Sequence, residues 1–221
     1  DGAGRAPCAV VPCLSRRVAD IGWVSATTLA ACAHSHGARD SGKDGGAPHS
    51  ACVIDFLLPP ARAVVGGLAL PDGSGHCLVP LRARPQVLVG SKRGELSLWD
   101  LRMMHRVVHT WTAHAGASVR ALALARGGDV VVSGASDGSL KVWDVRAAAA
   151  GLGNADSDGA PLAERWASAR HHEKHTMLQP LLGLGPGSTH GVTALATSHA
   201  SSPDVLYTCG ADGRVLALPT P

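Results

Sequence analysis

The sequence predicts an all-β fold built from repeated four-stranded units. Three similar segments, CVID, SLWD and KVWD, end at Asp55, Asp100 and Asp144, with spacings of 45 and 44 residues. A period of about 40–45 residues that closes on Trp-Asp is typical of a four-stranded β-propeller blade. The chain has room for about four such blades, whereas propeller rings commonly contain about seven. We therefore expect an incomplete ring, with further blades encoded upstream.

Composition narrows the range of functions. Hydrophobic residues make up 45% of the chain, which is enough for a packed core. The formal net charge of +3 is too small to predict nucleic acid as a partner. No apolar run approaches the roughly 18–20 residues of a membrane span, and the N-terminus lacks the apolar region of a signal peptide. The six cysteines include no C-x-x-C pair, which favours reduced thiols and a cytoplasmic location.

Two further series of residues repeat in the same register. Four valines each begin an apolar stretch and have an aliphatic residue three positions later: Val18, Val65, Val119 and Val192. Three turns contain glycine: Lys92-Arg93-Gly94, Ser136-Asp137-Gly138 and Ala211-Asp212-Gly213. Because glycine adopts the positive φ that a tight hairpin needs, these turns predict paired strands.

The third repeat is the most complete. Strands are predicted over residues 119–124, 129–134 and 139–144, and residues 162–167 are predicted to be the outer strand of the same blade. Residues 147–161 are small, polar and rich in glycine, which predicts an inserted surface loop. The chain is accordingly divided into an N-terminal segment without an assigned structure (1–17), a degenerate blade (18–57), a blade (58–101), a blade with the inserted loop (102–170) and a terminal degenerate blade (171–221).

Four polar residues of the third repeat form a set: His114, Ser133, Asp137 and Trp143. In WD-repeat proteins, which this repeat resembles, the matching four residues form a hydrogen-bonded chain within one blade. A histidine, an aspartate and a serine could also form a catalytic triad. A hydrolase serine, however, normally occupies a G-x-S-x-G elbow, whereas Ser133 lies within the predicted strand V-V-S-G. The sequence therefore predicts a structural set and a protein that is not an enzyme.

The other repeats depart from this pattern. In the second, Val89 and Arg93 occupy the serine and aspartate positions, so that blade is predicted to lack the hydrogen-bonded chain. The fourth keeps Thr208 and Asp212 but ends in Leu-Pro instead of Trp-Asp. The first has Ile54 at the tryptophan position and a Gly- and Ser-rich stretch over residues 37–50.

Three stretches resemble one branch of the WD-repeat proteins, the rabconnectin/DmX-like family, which includes the large subunit of the RAVE complex. They are LYTCGADGRVLALP (206–219), HRVVHTWTAHAGASVRALAL (105–124) and GSKRG (90–94). The resemblance implies a C-terminal propeller of a very large scaffold protein. It also implies a role in assembly of the vacuolar-type proton ATPase, with the peripheral-sector subunits of that pump and RAVE-type proteins as partners. The expected location is then cytoplasmic and peripheral on endomembranes of the vacuole or vesicles.

Lys92 and Arg93 are the predicted partner-binding residues. In the WD-repeat arrangement their turn lies on the same face as the turn of Asp137 and the loop of His114, although solvated turn residues would show the same sequence. The alternative function is a WD-repeat adaptor in another complex, such as a ubiquitin-ligase substrate receptor or a chromatin subunit, because propellers carry many functions.

Histidine clusters raise a further alternative, a metalloenzyme. The run His171-His172-Glu173-Lys174-His175 is one residue short of the H-E-x-x-H zinc motif, and His34-x-His36 is a lesser cluster. The segment Gly183-x-Gly185-x-Gly187 lacks the lysine and the glycine spacing of a phosphate-binding loop. We therefore predict no metal site, no cofactor and no catalytic residue.

Overall fold

The computed structural model describes residues 11, 13–14, 17–34, 49–70, 74–81, 84–103, 106–144, 163–168, 191–198 and 205–219. Within these ranges fifteen β-strands form four antiparallel sheets, three of four strands and one of three. No helix in these ranges is long and apolar enough to cross a membrane. The inserted loop 147–161, most of the stretch 37–50, the His171–His175 cluster, His36 and the glycine segment 183–187 lie outside the described residues.

The sheets follow each other along the chain, and we number them blade 1 to blade 4. Blade 1 contains β1 (Val18–Trp23), β2 (Thr28–Ala33), β3 (Ala51–Asp55) and β4 (Val64–Leu68). Blade 2 contains β5 (Gly75–Leu81), β6 (Gln86–Ser91), β7 (Glu95–Asp100) and β8 (Val107–Thr112). Blade 3 contains β9 (Val119–Ala125), β10 (Val130–Ala135), β11 (Leu140–Asp144) and β12 (Ala163–Ser168). Blade 4 contains β13 (Val192–Thr197), β14 (Val205–Gly210) and β15 (Val215–Pro219).

The all-β prediction and the repeat are confirmed. Asp55, Asp100 and Asp144 each end the third strand of a blade. The three strands predicted in the third repeat are β9, β10 and β11, and the predicted outer strand is β12, which pairs with β11. The turn glycines Gly94 and Gly138 have φ of +82° and +85°, in the left-handed region expected of a tight hairpin.

The series of four valines does not mark the same strand in every blade. Val65 does not begin the first strand of a repeat, because it lies in β4, which pairs with β3 as the fourth strand of blade 1. The first strand of blade 2 is β5, whose sequence GHCLVPL mixes glycine, histidine and proline with apolar residues. The predicted limits after residues 57 and 101 therefore fall between the third and fourth strands of blades 1 and 2. The Trp-Asp ending marks the third strand of a blade. In blades 1 to 3 a fourth strand follows it and pairs with the third strand.

A bulge recurs at the same place in all four blades. The second residue of each first strand is skipped in its pairing with the second strand: Ala19, His76, Arg120 and Thr193. A bulge increases the local twist of a strand, so the four first strands share one shape. The common register also makes positions comparable between blades. Ser133 of blade 3 corresponds to Ala31 in blade 1, Val89 in blade 2 and Thr208 in blade 4.

The core lies between the blades. Each blade has an upstream face toward the preceding blade and a downstream face toward the following one. Between blades 1 and 2 the buried cluster includes Ala30, Cys32, Val53, Leu78, Val89 and Trp99. Between blades 2 and 3 it includes Val79, Leu88, Leu98, Trp111, Val131 and Trp143. Between blades 3 and 4 it includes Ala121, Val132, Leu140, Val142, Val192 and Leu206. A blade therefore buries its apolar faces only when its neighbours are present.

A glycine allows a close approach of two strands at each of the three junctions. A Cβ on Gly134 would lie 2.8 Å from the Cβ of Val192, and one on Gly90 would lie 2.9 Å from the Cβ of Val119. In these two junctions the glycine belongs to the second strand of the upstream blade, and the valine begins the next blade. The order is reversed between blades 1 and 2, where a Cβ on Gly75 would lie 2.8 Å from the Cβ of Cys32.

We predict that Gly134→Ala lowers the free energy of unfolding by about 1–3 kcal/mol, because the added methyl group overfills the junction with Val192. Val192→Ala alone also destabilises, because it removes buried apolar surface. The double variant is expected to lose less stability than the sum of the two single losses, with a coupling energy of about 0.5–3 kcal/mol. Urea denaturation of the four proteins measures this cycle. Additive losses would contradict the contact.

Candidate functional site

The predicted polar set lies inside blade 3. Ser133, on β10, is fully buried, and its Oγ accepts a hydrogen bond from Trp143 Nε1 of β11 at 2.9 Å. The same Oγ lies 2.8 Å from Nε2 of His114, a residue of the loop before β9 that is 3% exposed. The structure thus brings together the tryptophan, serine and histidine on three successive segments of one blade.

Asp137 joins the set through a residue that the sequence did not point to. The Ser139 hydroxyl donates to Asp137 Oδ1 at 2.7 Å and lies 2.9 Å from His114 Nδ1. The Ser139 backbone N–H donates to the same carboxylate oxygen at 3.0 Å. A serine two residues after the turn aspartate is the available sequence signal, since the corresponding residues are Glu95 in blade 2 and Arg214 in blade 4.

Electrostatics favour the ionised form of Asp137. Burial alone raises the pKa of this carboxyl, but the hydrogen bonds from Ser139 and the proximity of His114 outweigh burial, so the pKa lies below its ordinary value. The sign follows from linkage: a lowered pKa in the folded state contributes stability above the ordinary pKa. That contribution is lost as the pH falls through the pKa of the folded state.

The hydrogen bonds of the set hold the segments of blade 3 together, which is a structural role. The Ser133 hydroxyl is fully buried and is already engaged by two ring nitrogens. A nucleophile needs access to a substrate, and a buried hydroxyl on a central strand has none. Each polar atom instead satisfies another in the interior, where an unpaired donor costs about 1–3 kcal/mol.

Comparison with known families supports this geometry. Residues 105–144, which carry the whole set, match the WD domain, G-beta repeat. This segment is a WD40 repeat. Together with the four antiparallel blades, it makes the fold a WD40-type β-propeller.

Similar proteins share this fold but little sequence. The APC/C activator protein CDC20 of Saccharomyces cerevisiae is 32% identical over 85 residues, which is 38% of this chain and only 13% of that relative. The solved Sqt1 of Chaetomium thermophilum is 16% identical with a TM-score of 0.59 and covers 91% of this chain and 43% of its own. Raptor of the same organism has a TM-score of 0.58 at 15% identity, covering 90% of this chain and 15% of its own. The computationally designed Ika8 has a TM-score of 0.55 at 18% identity, covering 92% of this chain and 46% of its own.

The WD40 pattern fails differently in blade 2. Val89 occupies the serine position, and Trp99 Nε1 is buried without a hydrogen-bond partner in the part of the chain that the structure describes. The turn is repaired by Ser91, whose Oγ accepts from the N–H groups of Arg93 and Glu95 at 3.1 and 3.3 Å. The Glu95 N–H corresponds to the Ser139 N–H of blade 3, which donates a hydrogen bond to Asp137. The pattern of the repeats in the sequence does not reveal this replacement, because Ser91 lies two residues upstream of Arg93, which stands at the aspartate position.

The outer blades keep less of the set. In blade 4 Thr208 is buried at the serine position, and Asp212 Oδ1 accepts from Arg214 N–H at 3.0 Å. In blade 1 Ala31 and Ile54 stand at the serine and tryptophan positions and are packed in an apolar cluster. Apolar packing therefore replaces polar fastening in blade 1.

The aspartate of the Trp-Asp pair has its own role in blade 2. Asp100 accepts from the Arg102 backbone N–H at 2.9 Å and from the Arg102 guanidinium at 2.6 Å. This side-chain hydrogen bond is the main reason that the pKa of Asp100 falls to about 2. Because Arg102 is largely exposed, the pair serves to shape the turn after β7 more than to stabilise the fold.

The basic turn lies beside the polar set. Lys92 and Arg93 are exposed in the turn between β6 and β7. Gly94 of the same turn accepts hydrogen bonds from the N–H groups of Ala113 and His114, both at 2.9 Å. A Cβ on Gly94 would collide with the carbonyl oxygens of the His114 loop. The turn of blade 2 and the loop of blade 3 thus form one continuous surface at this end of the propeller, which we call the loop face.

Metal ligands do not cluster in the described ranges. No group of three or more histidine, cysteine, aspartate or glutamate side chains there could hold an ion. His34 packs edge-on against His76 with ring centroids 4.3 Å apart, at the boundary of blades 1 and 2. This ring contact accounts for the described half of the His34-x-His36 motif.

We predict that Asp137→Ala lowers the free energy of unfolding by about 1–3 kcal/mol, a few degrees in Tm for a chain of this size. The substitution leaves the hydroxyl and the backbone N–H of Ser139 without their acceptor. Asp137→Asn keeps an oxygen in place and should lose less. Thermal melts followed by circular dichroism compare the three proteins, and equal Tm values for alanine and wild type would contradict a fastening role.

We predict that Val89→Thr leaves the free energy of unfolding within about 1 kcal/mol of wild type, because its hydroxyl gives Trp99 Nε1 an acceptor. The matched control is Val132→Thr, since Val132 is equally buried but faces apolar neighbours between blades 3 and 4. That variant should lose about 1–3 kcal/mol, the cost of burying an unpaired hydroxyl. Equal losses of stability for Val89→Thr and Val132→Thr in urea denaturation would contradict a hydrogen bond from Trp99 Nε1 to the new hydroxyl at position 89.

Proposed function

We propose that this WD40 chain is a non-catalytic scaffold that binds other proteins on its loop face. One observation carries the proposal: the histidine, serine and aspartate of the set are linked inside blade 3 by hydrogen bonds that pass through Ser139, while the turn beside them is exposed and basic. The side chains that could act as a nucleophile or a base are thus engaged in hydrogen bonds within the blade. The rigid blades hold exposed turns in fixed positions, which suits recognition of a protein surface.

Lys92 and Arg93 supply the chemistry of recognition. Both side chains are exposed, and their turn is held by Ser91 and by the contact of Gly94 with the His114 loop. A fixed pair of positive charges favours a partner with an acidic surface, mainly through faster association and correct orientation. The expected partner surface therefore carries aspartate or glutamate side chains.

The partner that we favour is the peripheral sector of the vacuolar-type proton ATPase. The support is the resemblance to the rabconnectin/DmX-like family: the segment GSKRG (90–94) of this chain resembles a basic turn of that family, and the turn between β14 and β15 resembles its C-G-A-D-G turn. In this proposal the chain helps to rejoin the peripheral sector with the membrane sector, as part of a RAVE-type assembly. It would work in the cytoplasm, at the surface of acidified organelles.

The second candidate is an adaptor in another complex, such as a ubiquitin-ligase substrate receptor or a chromatin subunit. The observation that favours it is the 32% identity to a protein named an activator of APC/C. The match spans 85 residues, and repeats of one fold can be this similar in proteins with different partners.

Proximity labelling in intact cells tests the proposal. We expect the protein, used as bait with proximity labelling in intact cells, to enrich proton-pump subunits of the peripheral sector. Lys92→Glu/Arg93→Glu should reduce the recovery at least several-fold, because reversed charges repel an acidic surface. Enrichment of subunits of another complex in place of the pump would support the adaptor function.

A matched charge reversal serves as the control. Arg62→Glu/Arg106→Glu changes two exposed arginines in the segments between the third and fourth strands of blades 1 and 2, at the end of the blades opposite to the loop face. This variant should recover the same partner as wild type. If the two double variants behave alike, Lys92 and Arg93 are not the binding residues.

A further inference from the structure

Two cysteines of blade 1 are in contact at the place where blade 3 carries its polar set. Cys52, on β3, is fully buried, and Cys13, in the segment before β1, is half-buried. Cys13 packs against the apolar cluster that contains Cys52, Ala31 and Ile54. The two thiols are close enough to share a hydrogen bond. We call Cys13 and Cys52 the thiol pair.

The position of Cys13 matches that of the histidine in the polar set. Val18 and Val119 each begin the first strand of a blade and precede its bulge. Cys13 lies five residues before Val18, and His114 lies five residues before Val119. The loop that enters blade 1 therefore places a thiol where the loop that enters blade 3 places an imidazole.

The position of Cys52 is on the strand that this loop residue meets. Cys52 pairs with Ala31, just as Lys141 pairs with Ser133 in blade 3. Ser139, immediately before the strand of Lys141, is bonded to the loop histidine. In both blades the loop before the first strand thus contacts the third strand near its beginning. Blade 3 makes this contact with a hydrogen bond, and blade 1 makes it with two thiols.

The two thiols differ in their access to solvent. Cys13 is half-buried, so a small oxidant reaches its sulfur. Cys52 is enclosed, and burial together with the neighbouring Cys13 raises the pKa of Cys52 to about 12. Because the thiolate is the nucleophile, a thiol with this pKa reacts slowly with a peroxide at neutral pH. Cys13 is therefore the thiol that is oxidised first.

We propose that Cys13 and Cys52 form a reversible disulfide, which gives blade 1 a redox-controlled link in place of the hydrogen-bonded set of blade 3. The oxidant is a peroxide. The Cys13 sulfur attacks one oxygen of hydrogen peroxide and the O–O bond breaks, which leaves a sulfenic acid on Cys13. The departing hydroxide takes the Cys13 thiol proton and leaves as water.

The second step closes the disulfide. The Cys52 sulfur attacks the sulfur of the sulfenic acid, and the S–O bond breaks as the S–S bond forms. The displaced hydroxide takes the Cys52 proton and leaves as a second water. Two thiols are thereby oxidised by two electrons, and one peroxide is reduced to two waters. A small-molecule thiol such as glutathione reverses the link by thiol–disulfide exchange, which suits a protein whose other thiols stay reduced.

The link acts on the end of blade 1 that belongs to the loop face. The Arg17 carbonyl, in the segment that carries Cys13, accepts a hydrogen bond from the His34 N–H at 3.1 Å. His34 directly follows β2, so the segment and the loop between β2 and β3 are joined at this end. A disulfide stabilises mainly by restricting the unfolded chain, and more so when it closes a long loop. Oxidation is therefore expected to stabilise blade 1.

Three other described cysteines are placed differently. Cys32 and Cys77 are buried at the junctions of blades 1 to 3, where burial raises the pKa of both thiols. Their burial keeps a peroxide away, so we expect them to stay reduced. Cys209 is half-buried in blade 4 and is a control for oxidation that follows exposure alone.

Thiol counting tests the proposal on the 221-residue chain. The reduced protein is treated with hydrogen peroxide, unfolded in urea with N-ethylmaleimide and measured by mass spectrometry. We expect two of the six thiols to be lost within one chain, and peptide mapping to join Cys13 to Cys52. Dithiothreitol should restore all six. Before reduction, Tm should be at least about 5 °C higher than in the reduced protein.

Cysteine variants separate this pair from the alternatives. Cys13→Ser and Cys52→Ala should each abolish both the link and the rise in Tm. Cys8→Ser is the matched control, because Cys8 is the neighbouring cysteine in the sequence, and it should keep both effects. Cys209→Ser should keep both as well. Circular dichroism of the reduced variants verifies folding, which the partial exposure of Cys13 favours.

Several outcomes overturn the proposal. They are six free thiols after peroxide treatment, a loss of thiols without a joined peptide, a link that includes Cys8 or a second chain, and a rise in Tm that persists in Cys13→Ser. The Lys92 and Arg93 side chains take no part in the reaction, so the outcome is independent of partner binding at the basic turn.

Discussion

Packing between neighbouring blades is the interaction on which the whole molecule depends. A blade is one sheet with two apolar faces, so its strands pair internally while its hydrophobic surface is covered only by other blades. Glycines allow close contacts between blades at Gly75, Gly90 and Gly134, where an added Cβ would collide with a side chain of the adjoining blade. The loop face, the basic turn and the buried set all take their positions from this stacking.

The polar set adds fastening within one blade to the packing between blades. Its four predicted members meet in blade 3 with Ser139 as a fifth, and the two bonds of His114 join a loop to strand and turn residues that strand pairing alone does not connect to it. The loop that carries His114 is thereby tied to the strand of Ser133 and to the turn of Asp137. Because that loop also contacts the Gly94 turn, the fastening in blade 3 extends to the surface that we propose for partner binding.

The sequence was sufficient for the fold and for the members of the set, because both repeat at fixed distances. The Asp55, Asp100 and Asp144 endings gave the period, and the third repeat gave the strands. First strands were harder to find: β5 contains glycine, histidine and proline, so Val65 of β4 offered a better pattern than the strand that opens blade 2. Ser91 and Ser139 were missed for another reason. Their roles depend on which N–H group or ring nitrogen a hydroxyl reaches, and this geometry is not periodic.

The unequal fastening of the blades has a consequence for the way the protein folds. Stability in a stacked array is close to a sum of unit and nearest-neighbour contributions, and folding can begin in any unit and spread to its neighbours. Blade 3 combines two covered faces with the complete set, whereas Trp99 Nε1 of blade 2 has no partner among the described residues and blade 1 carries Ala31 and Ile54 at the serine and tryptophan positions. Nucleation in blade 3, with growth toward both ends, follows from this asymmetry, and local opening at blade 1 or blade 4 can then leave the centre intact.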